Sequence, residues 1–575
     1  MNPNIAARIV LAILALSLSP LSFADSGHGK SGDKVDVIVV YDAKPDKAEK
    51  DRVKALGGTT KREFTNFNMR VIRISENALK HLGNGKGVKF IAPDRETFGM
   101  AVTSLAPATP SESAAHATAR VPAPGSANAQ FNGSGVGVAI IDSGVGTHVD
   151  LSLAIKQYDF LDGKYPHPEI DDGEIASYRS NSRSDGLGHG THVAGIISGS
   201  GYGSSGEHKG IATSARLLSL RILDDDGRGV TSDAIAAMDW LLSYGRYFDI
   251  EVVNMSIGKA VEESNAIDPL VLAVERVWDS GVVVVVAAGN YGRDGHMTIT
   301  SPANSRKVIT VGSLTDKGTG NNFDDDFVST YSSMGPTLGD HVLKPDLIAP
   351  GNRVTATVSA GAKLMGDLKT RIASCTGSTS LRYYSTDYCS ADYLELSGTS
   401  MAAPLVTATV AMMLDKDESL TPSTIKARLM RSARKIDAEP TEAGAGVLDV
   451  DAALDATGAV EGQALSPLMA RSDEGPVVLI EDTAKLWGNA SWSSAYLWTN
   501  GYLWTNAYLW TDGYLWTDAY LWTNAYLWTN AYLWTNGYLW TDAYLWTNGY
   551  LWTHAVTNFN PLYEISGSSI ELNDD

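Results

Sequence analysis

The sequence predicts an α/β protein: a mostly parallel, helix-covered sheet, preceded by a small α+β unit and followed by a β-rich repeat tail. Three observations carry this. Between Gly135 and Leu454, apolar runs rich in β-branched residues alternate with stretches of helical spacing, as in sheets buried on both faces. Upstream, residues 34–95 read strand, helix, two strands, helix, strand, which is a split βαβ order. Downstream, a six-residue unit recurs, and an even period suits alternating strands rather than helices.

Taken in order, the chain starts with Arg8 before the apolar run Ile9–Leu18, then Ser22-Phe23-Ala24 at a cleavage spacing. Residues 1–24 read as a secretory signal peptide, with an uncleaved anchor as the other reading, so the protein is expected to be secreted, extracellular or associated with the cell surface. Within 25–100, strands are expected at Val35–Tyr41 and Val88–Ile91, with two more in Lys61–Ile74 around the turn residues Asn66 and Asn68. Helices are expected at Pro45–Leu56 and Asn77–Leu82. Residues 101–129 change to Ala, Pro, Ser and Thr, with Pro107, Pro110, Pro122 and Pro124, a composition that reads as an exposed linker.

The main sheet draws on Val136–Ile141, Leu217–Ile222, Val252–Ser256, Val282–Ala287 and Val308–Gly312, with helices at Ser232–Ser243 and Pro269–Ser280. In such sheets functional residues gather beyond the carboxyl ends of strands, where Asp142 and Asn290 fall. A second linker occupies 458–486, the aromatic repeats 487–554 and an acidic end 555–575.

In the tail, Ala/Gly-Tyr-Leu-Trp-Thr-Asn/Asp recurs ten times from Ala495 to His554, and 12 of the 14 tryptophans lie there or just before it. Asn-Gly and Asp-Gly turns between four-residue strands suit a meander of hairpins. A β-solenoid with stacked repeats is the competing geometry. Gly501, Gly513, Gly537 and Gly549 all fall in odd-numbered turns, which favours hairpins. Rows of Trp and Tyr suit binding to a polysaccharide or cell surface, and equally suit packing between strands.

At 575 residues the chain exceeds one compact domain, and 44% hydrophobic with 19% charged residues is ordinary for a globular core. A net charge of −20 argues against nucleic acid or anionic membrane as partner. The two cysteines, Cys375 and Cys389, lie in a polar stretch. Export permits a disulfide between them, and two free thiols remain the alternative.

Four short runs carry the chemistry: Asp142-Ser143-Gly144-Val145, His189-Gly190-Thr191-His192-Val193-Ala194-Gly195, Ala287-Ala288-Gly289-Asn290 and Gly398-Thr399-Ser400-Met401-Ala402-Ala403-Pro404. Together they offer a carboxylate, an imidazole, a side-chain amide and a hydroxyl, the parts of acyl transfer through a serine. Met401–Leu414 reads as an apolar helix, which puts Ser400 at a helix N-terminus, where backbone N–H groups favour an oxyanion. The order Asp, His, Ser and the four motifs resemble the subtilisin-like serine proteases, or subtilases.

That resemblance implies a secreted serine endopeptidase with a three-layer subtilisin-like catalytic domain at 130–457. Its catalytic residues would be Asp142, His189 and Ser400, with Asn290 as oxyanion donor. A ferredoxin-like propeptide at 25–100 would act as chaperone and inhibitor, and self-cleavage would leave a new N-terminus between Gly99 and Arg120. Ser256, Ile257 and Gly258 would pair with one side of a protein or peptide substrate, Gly227 and Gly229 with the other. Ala287, Ala288 and Gly289 would wall the S1 pocket, with Thr300 and Ser301 near its base and a neutral or apolar P1 residue preferred. His192 reads as structural.

Sedolisin-type acid peptidases share the fold but use Glu for His and Asp for Asn, so His189 and Asn290 point away from them. No cofactor is required for this chemistry. The acidic loop Asn321–Asp326 offers hard oxygen ligands suited to structural calcium, without EF-hand spacing, and metal ligands stay unassigned. Asp224, Asp225 and Asp226 read either as a solvated turn or as a subsite for basic side chains. Lys259 stands where relatives have glycine, and would crowd the cleft. The alternative to an enzyme is a surface-binding protein acting through its aromatic tail.

Overall fold

The computed structural model describes residues 34–99, 119–171, 174–175, 183–317, 323–368, 393–471 and 477–481. The signal peptide, the cysteine pair, most of the first linker and the whole repeat tail lie outside these residues.

The N-terminal unit comprises β1 (Lys34–Tyr41), α1 (Lys47–Ala55), β2 (Thr59–Glu63), β3 (Met69–Ser75), α2 (Glu76–Gly83) and β4 (Val88–Pro93). Its antiparallel sheet has the order β2-β3-β1-β4. Strand alternation in β1 feeds two different cores. Val37, Val39 and Tyr41 join Val53, Leu79 and Leu82 under the two helices. Ile38 and Val40 point the other way and join the main core. A strand whose side chains alternate faces thus buries both. Asp46 caps α1 by accepting from Glu49 N at 3.0 Å, as a short polar residue before a helix should.

The chain then forms a four-residue strand, β5 (Glu96–Gly99), which leaves this sheet altogether. Beyond the linker lie β6 (Gly137–Asp142), β7 (Ala154–Asp159), α3 (His189–Ser198), β8 (Arg216–Arg221), β9 (Arg228–Val230) and α4 (Thr231–Tyr244). Next come β10 (Ile250–Met255), β11 (Ile257–Gly258), α5 (Pro269–Asp279), β12 (Val283–Ala287), β13 (Ile309–Thr315) and β14 (Phe327–Val328). β15 (Leu347–Pro350), β16 (Val354–Thr357), β17 (Tyr393–Leu396), α6 (Thr399–Lys416) and α7 (Pro422–Ser432) follow.

The main sheet has eight strands in the order β14-β13-β12-β10-β6-β8-β7, with β15 also paired to β13. All its pairings are parallel except β13 with β14. Its central strands are apolar throughout because helices cover them: every residue of β6 and β12 is buried. The helices pack in two pairs, α3 with α6 and α4 with α5. α6 is buried from Thr399 to Leu414, so its first turn is held in the core and points at the ends of β10 and β12.

One ionic cluster locks the far end of the sheet. Asp346, fully buried, lies 2.7 Å from Lys344 Nζ and 3.1 Å from Lys426 Nζ. It also accepts from Thr310 N at 2.8 Å and Ser466 Oγ at 2.7 Å. Burial alone would raise this carboxyl's pKa, and the two ammonium groups more than offset it, leaving it lowered. Burial pushes Lys426 down to about 7. Exchanging Asp346 for Asn strips both lysines of their shared counter-charge. In a Ser400→Ala background, denaturant titration of Asp346→Asn is expected to show a loss of about 3–5 kcal/mol.

Candidate active site

Asp142 ends β6, and His189 opens α3. Their approach needs the N-terminus of α3 pressed against the end of β6. Gly190 permits it, since a Cβ there would lie 2.1 Å from Gly144 O and 3.2 Å from Asp142 Cβ. His189 Nδ1 then meets Asp142 Oδ1 at 2.7 Å, both side chains buried. Ser143 N donates to the same oxygen at 2.7 Å.

A residue that the motif reading passed over, Asp185, holds this junction. It is buried and accepts from Ser143 Oγ (2.9 Å), Gly188 N (2.8 Å), Thr191 N (2.8 Å) and Thr191 Oγ1 (2.6 Å). Ser143 Oγ in turn accepts from Gly190 N at 3.0 Å. Asp185 sits four residues before His189, where an acidic residue near a helix start is the signal that would have found it.

Ser400 lies in the first turn of α6. Its Oγ donates to Ser256 O at 3.2 Å, while His189 Nε2 is buried without a hydrogen-bond partner among the described residues. Pro404 lacks the N–H that would ordinarily bond Ser400 O one turn back. Ser256 Oγ donates to that carbonyl instead, at 3.1 Å. One serine, between β10 and β11, therefore holds both polar groups of Ser400. Asn290 follows β12, and its Oδ1 accepts from Thr399 N (2.9 Å) and Thr399 Oγ1 (3.1 Å). This orients the amide so that its NH2 end faces away from Thr399. Asp142 thus meets His189, and Asn290 meets the residue before Ser400, at the ends of two parallel strands and the starts of two helices.

The cleft beside them is occupied by the chain itself. β5 lies antiparallel between β9 and β11: Phe98 stands opposite both Arg228 and Gly258, and Gly99 opposite Ile257. Gly99 N reaches Gly227 O at 3.3 Å. A Cβ on Gly99 would lie 3.7 Å from His189 Cε1 and Nδ1. Thr97 is buried and Phe98 is partly exposed. Ser256–Gly258 and Gly227–Gly229 are therefore the two rails of one extended-chain groove. Beside it, Thr300 N and Oγ1 donate to Ala288 O at 3.0 and 3.2 Å, so Ala287–Gly289 and Thr300 form one wall.

Three smaller expectations meet different outcomes. Lys259 does not crowd the cleft: its side chain is buried beneath the strand, 2.7 Å from Asp268 Oδ2, and its backbone pairs with Ser301. Asp224, Asp225 and Asp226 form a turn that satisfies itself, through Arg228 N to Asp224, Arg221 to Asp225 and Lys363 to Asp226. His192 is structural, with Nε2 2.9 Å from Leu394 O and 3.1 Å from Val354 O, and burial pushes it down to about 3.

No group of three or more His, Cys, Asp or Glu side chains suited to a metal ion occurs among the described residues. The loop after α3 is held by a carboxylate from elsewhere: Asp150 accepts from Gly203 N and Tyr393 Oη, both at 2.7 Å. Asn321 and its neighbour lie outside the described residues.

Electrostatics favour a charged imidazole. Burial pulls the His189 pKa down, but the charge and hydrogen bond of Asp142, helped by Asp185, more than offset it, and the net shift is upward. Titration of His189 by NMR in a Ser400→Ala chain is expected to give a midpoint above the ordinary value of about 6.5. Asp142→Asn removes the anion and should move that midpoint down.

The family model described as the subtilase family matches residues 133–449. Serine protease AprX of Bacillus subtilis strain 168 is 35% identical over 332 residues, covering 56% of this chain and 66% of AprX, just short of two thirds of its length. Subtilisin E of the same organism is 27% identical over 433 residues, covering 74% of this chain and 92% of the relative. The crystal structure of fervidolysin from Fervidobacterium pennivorans, a keratinolytic enzyme related to subtilisin, shares the fold with a TM-score of 0.55 at 22% identity. It covers 76% of this chain and 62% of its own.

Proposed function

The chain belongs to the subtilase family of serine proteases, and on that premise we propose that it is an exported endopeptidase, made as a precursor that blocks and then cuts itself. The observation that carries this reading is β5 lying as a third strand between β9 and β11, with Gly99 against His189. A peptide substrate would bind in the same way, by adding a strand to two exposed edges.

In this mechanism Ser400 Oγ leaves Ser256 O and turns to His189 Nε2. The imidazole takes its proton as the oxygen attacks the substrate carbonyl, then passes that proton to the departing amine. Asp142 holds the imidazole through Nδ1 and stabilises its charged form. The oxyanion takes the Asn290 amide and the Ser400 N–H at the start of α6. The chemistry calls on no cofactor.

Self-cleavage has a preferred bond. Gly99 ends β5 and lies against His189, so the bond to be cut is sought just beyond it in the sequence. The bond proposed is Met100–Ala101, which gives the apolar P1 residue that the family resemblance implies. Residues 25–100 then act as folding partner and inhibitor, and the remainder is the secreted enzyme.

Intact mass and N-terminal sequencing of the secreted chain should show Ala101 first in the wild type, while Ser400→Ala keeps everything from Asp25 onward. Identical N-termini in the two would sink the self-processing reading. Asn290→Ala should lower kcat on a peptide substrate by about 10²–10³-fold with little change in KM, because the amide meets charge that develops only in the transition state.

A further inference from the structure

Upstream of the paired strand, one cationic side chain of the N-terminal unit is held at both ends. Arg95 Nη2 lies 2.6 Å from Glu262 Oε2, and Nη1 bonds Glu263 Oε1. Its carbonyl accepts from Thr231 N at 2.8 Å and Thr231 Oγ1 at 3.0 Å, at the start of α4. Of the two receptor carboxylates, Glu263 does not depend on Arg95 for its position, whereas Glu262 is half-exposed beside it. Glu263 is buried, with Oε2 3.4 Å from Lys259 Nζ, and Lys259 is tied to the fully buried Asp268 at 2.7 Å. Asp268 in turn caps α5 by accepting from Leu270 N at 2.9 Å. Glu263 therefore stands on a rigid support, the condition for a specific subsite, and Glu262 adds a second carboxylate at its rim.

Removing the N-terminal unit leaves Glu263 and Asp268 sharing the single ammonium of Lys259, and Glu262 without the guanidinium it pairs with. A partly desolvated carboxylate pair in that state attracts another fixed cation, and a guanidinium fits two carboxylates best. We propose that Glu262 and Glu263 form an acidic subsite which selects Arg or Lys at the sixth residue before the scissile bond of protein substrates. With cleavage after Met100, Arg95 is that sixth residue, so the precursor already displays the preferred occupant. The inference rests on the protease reading above and names part of its substrate class. Asp224–Asp226, the acidic run more obvious in the sequence, is committed to its own turn and to Arg221 and Lys363.

The test uses the processed enzyme and peptides carrying Glu-Thr-Phe-Gly-Met before the scissile bond, preceded by Arg, Ala or Glu, beside a shorter peptide that begins at Thr. The Arg peptide should show kcat/KM about ten-fold above the Ala peptide, mostly through KM, and the Glu peptide should fall below both. Raising salt should shrink the Arg-to-Ala ratio. Glu262→Gln, at a half-exposed position where misfolding is not expected, should shrink it further, and the ratio within one enzyme cancels any change in active fraction. Equal kcat/KM for the Arg and Ala peptides, with the short peptide cleaved well, overturns the subsite and leaves the protease reading standing. Failure to cleave any peptide overturns the protease reading, and the subsite with it.

Discussion

The buried carboxylate of Asp185 is the constraint on which the site depends. Taking an ionised group out of water is costly unless donors replace its hydration. Here four donors converge on it, two from the first turn of α3 and its preceding glycine, one from Thr191 Oγ1 and one from Ser143 Oγ at the end of β6. The bonds therefore join the elements that carry Asp142 and His189. Burial raises the Asp185 pKa and the hydrogen bonds oppose that rise. The same charge adds to that of Asp142 in lifting His189. Position and electrostatics of the imidazole thus have a common origin.

A second brace acts on the nucleophile. A proline five residues into the exposed part of a helix would be a defect, but after Ser400 it releases a carbonyl that Ser256 Oγ takes up. The donor immediately precedes β11, the strand that pairs with β5. The helix bearing Ser400 and the rail that aligns an extended chain are then one hydrogen-bonded unit, so an error in one displaces the other. Thr399 does the same on the opposite side, tying α6 to Asn290 and, through Gly289 N at 3.2 Å, to the wall formed by Ala287–Gly289.

Much of this was legible in the sequence because it is encoded locally. Val136–Ile141 and Val282–Ala287 are continuous apolar β-branched runs, and the structure makes them central strands of a parallel sheet. The two helices read at Ser232–Ser243 and Pro269–Ser280 are α4 and α5 within a residue or two. Asp142, His189, Asn290 and Ser400 sit in short motifs, and the fold brings them together. What escaped the reading is set by pairing between charged side chains, near or far along the chain. Lys259 looked like an obstruction because nothing local shows that Asp268 and Glu263 draw its side chain under the strand. Glu262 and Glu263 drew no reading at all, because their partner lies 168 residues away from Glu263, in another unit. Charge–charge pairing has no sequence period, so only the folded chain exposes it.

The N-terminal unit joins the rest through contacts of two unlike kinds, and their difference bears on how a precursor could hold and then lose it. Along β5 the contacts are backbone pairings that any extended chain reproduces. Behind them the contacts are specific: Asp94 bonds Ser232 N and Oγ at 2.8 and 2.6 Å, Asp239 accepts from Thr65 N and Asn66 N, and Arg62 is buried against Asp233 at 3.0 Å. These sit on α4, away from His189 and Ser400. While the chain is continuous, the specific set keeps β5 at high effective concentration over the site. If the chain is cut beyond β5, as proposed, the strand gains no new contact, whereas the released end is free to leave. A substrate brings only the backbone pairing and its side chains, so its affinity rests on subsites such as the one that holds Arg95. On the self-processing reading, the same groove is tightly filled by its own chain and yet open to others afterwards, because the side-chain contacts on α4 belong to the unit that would be released.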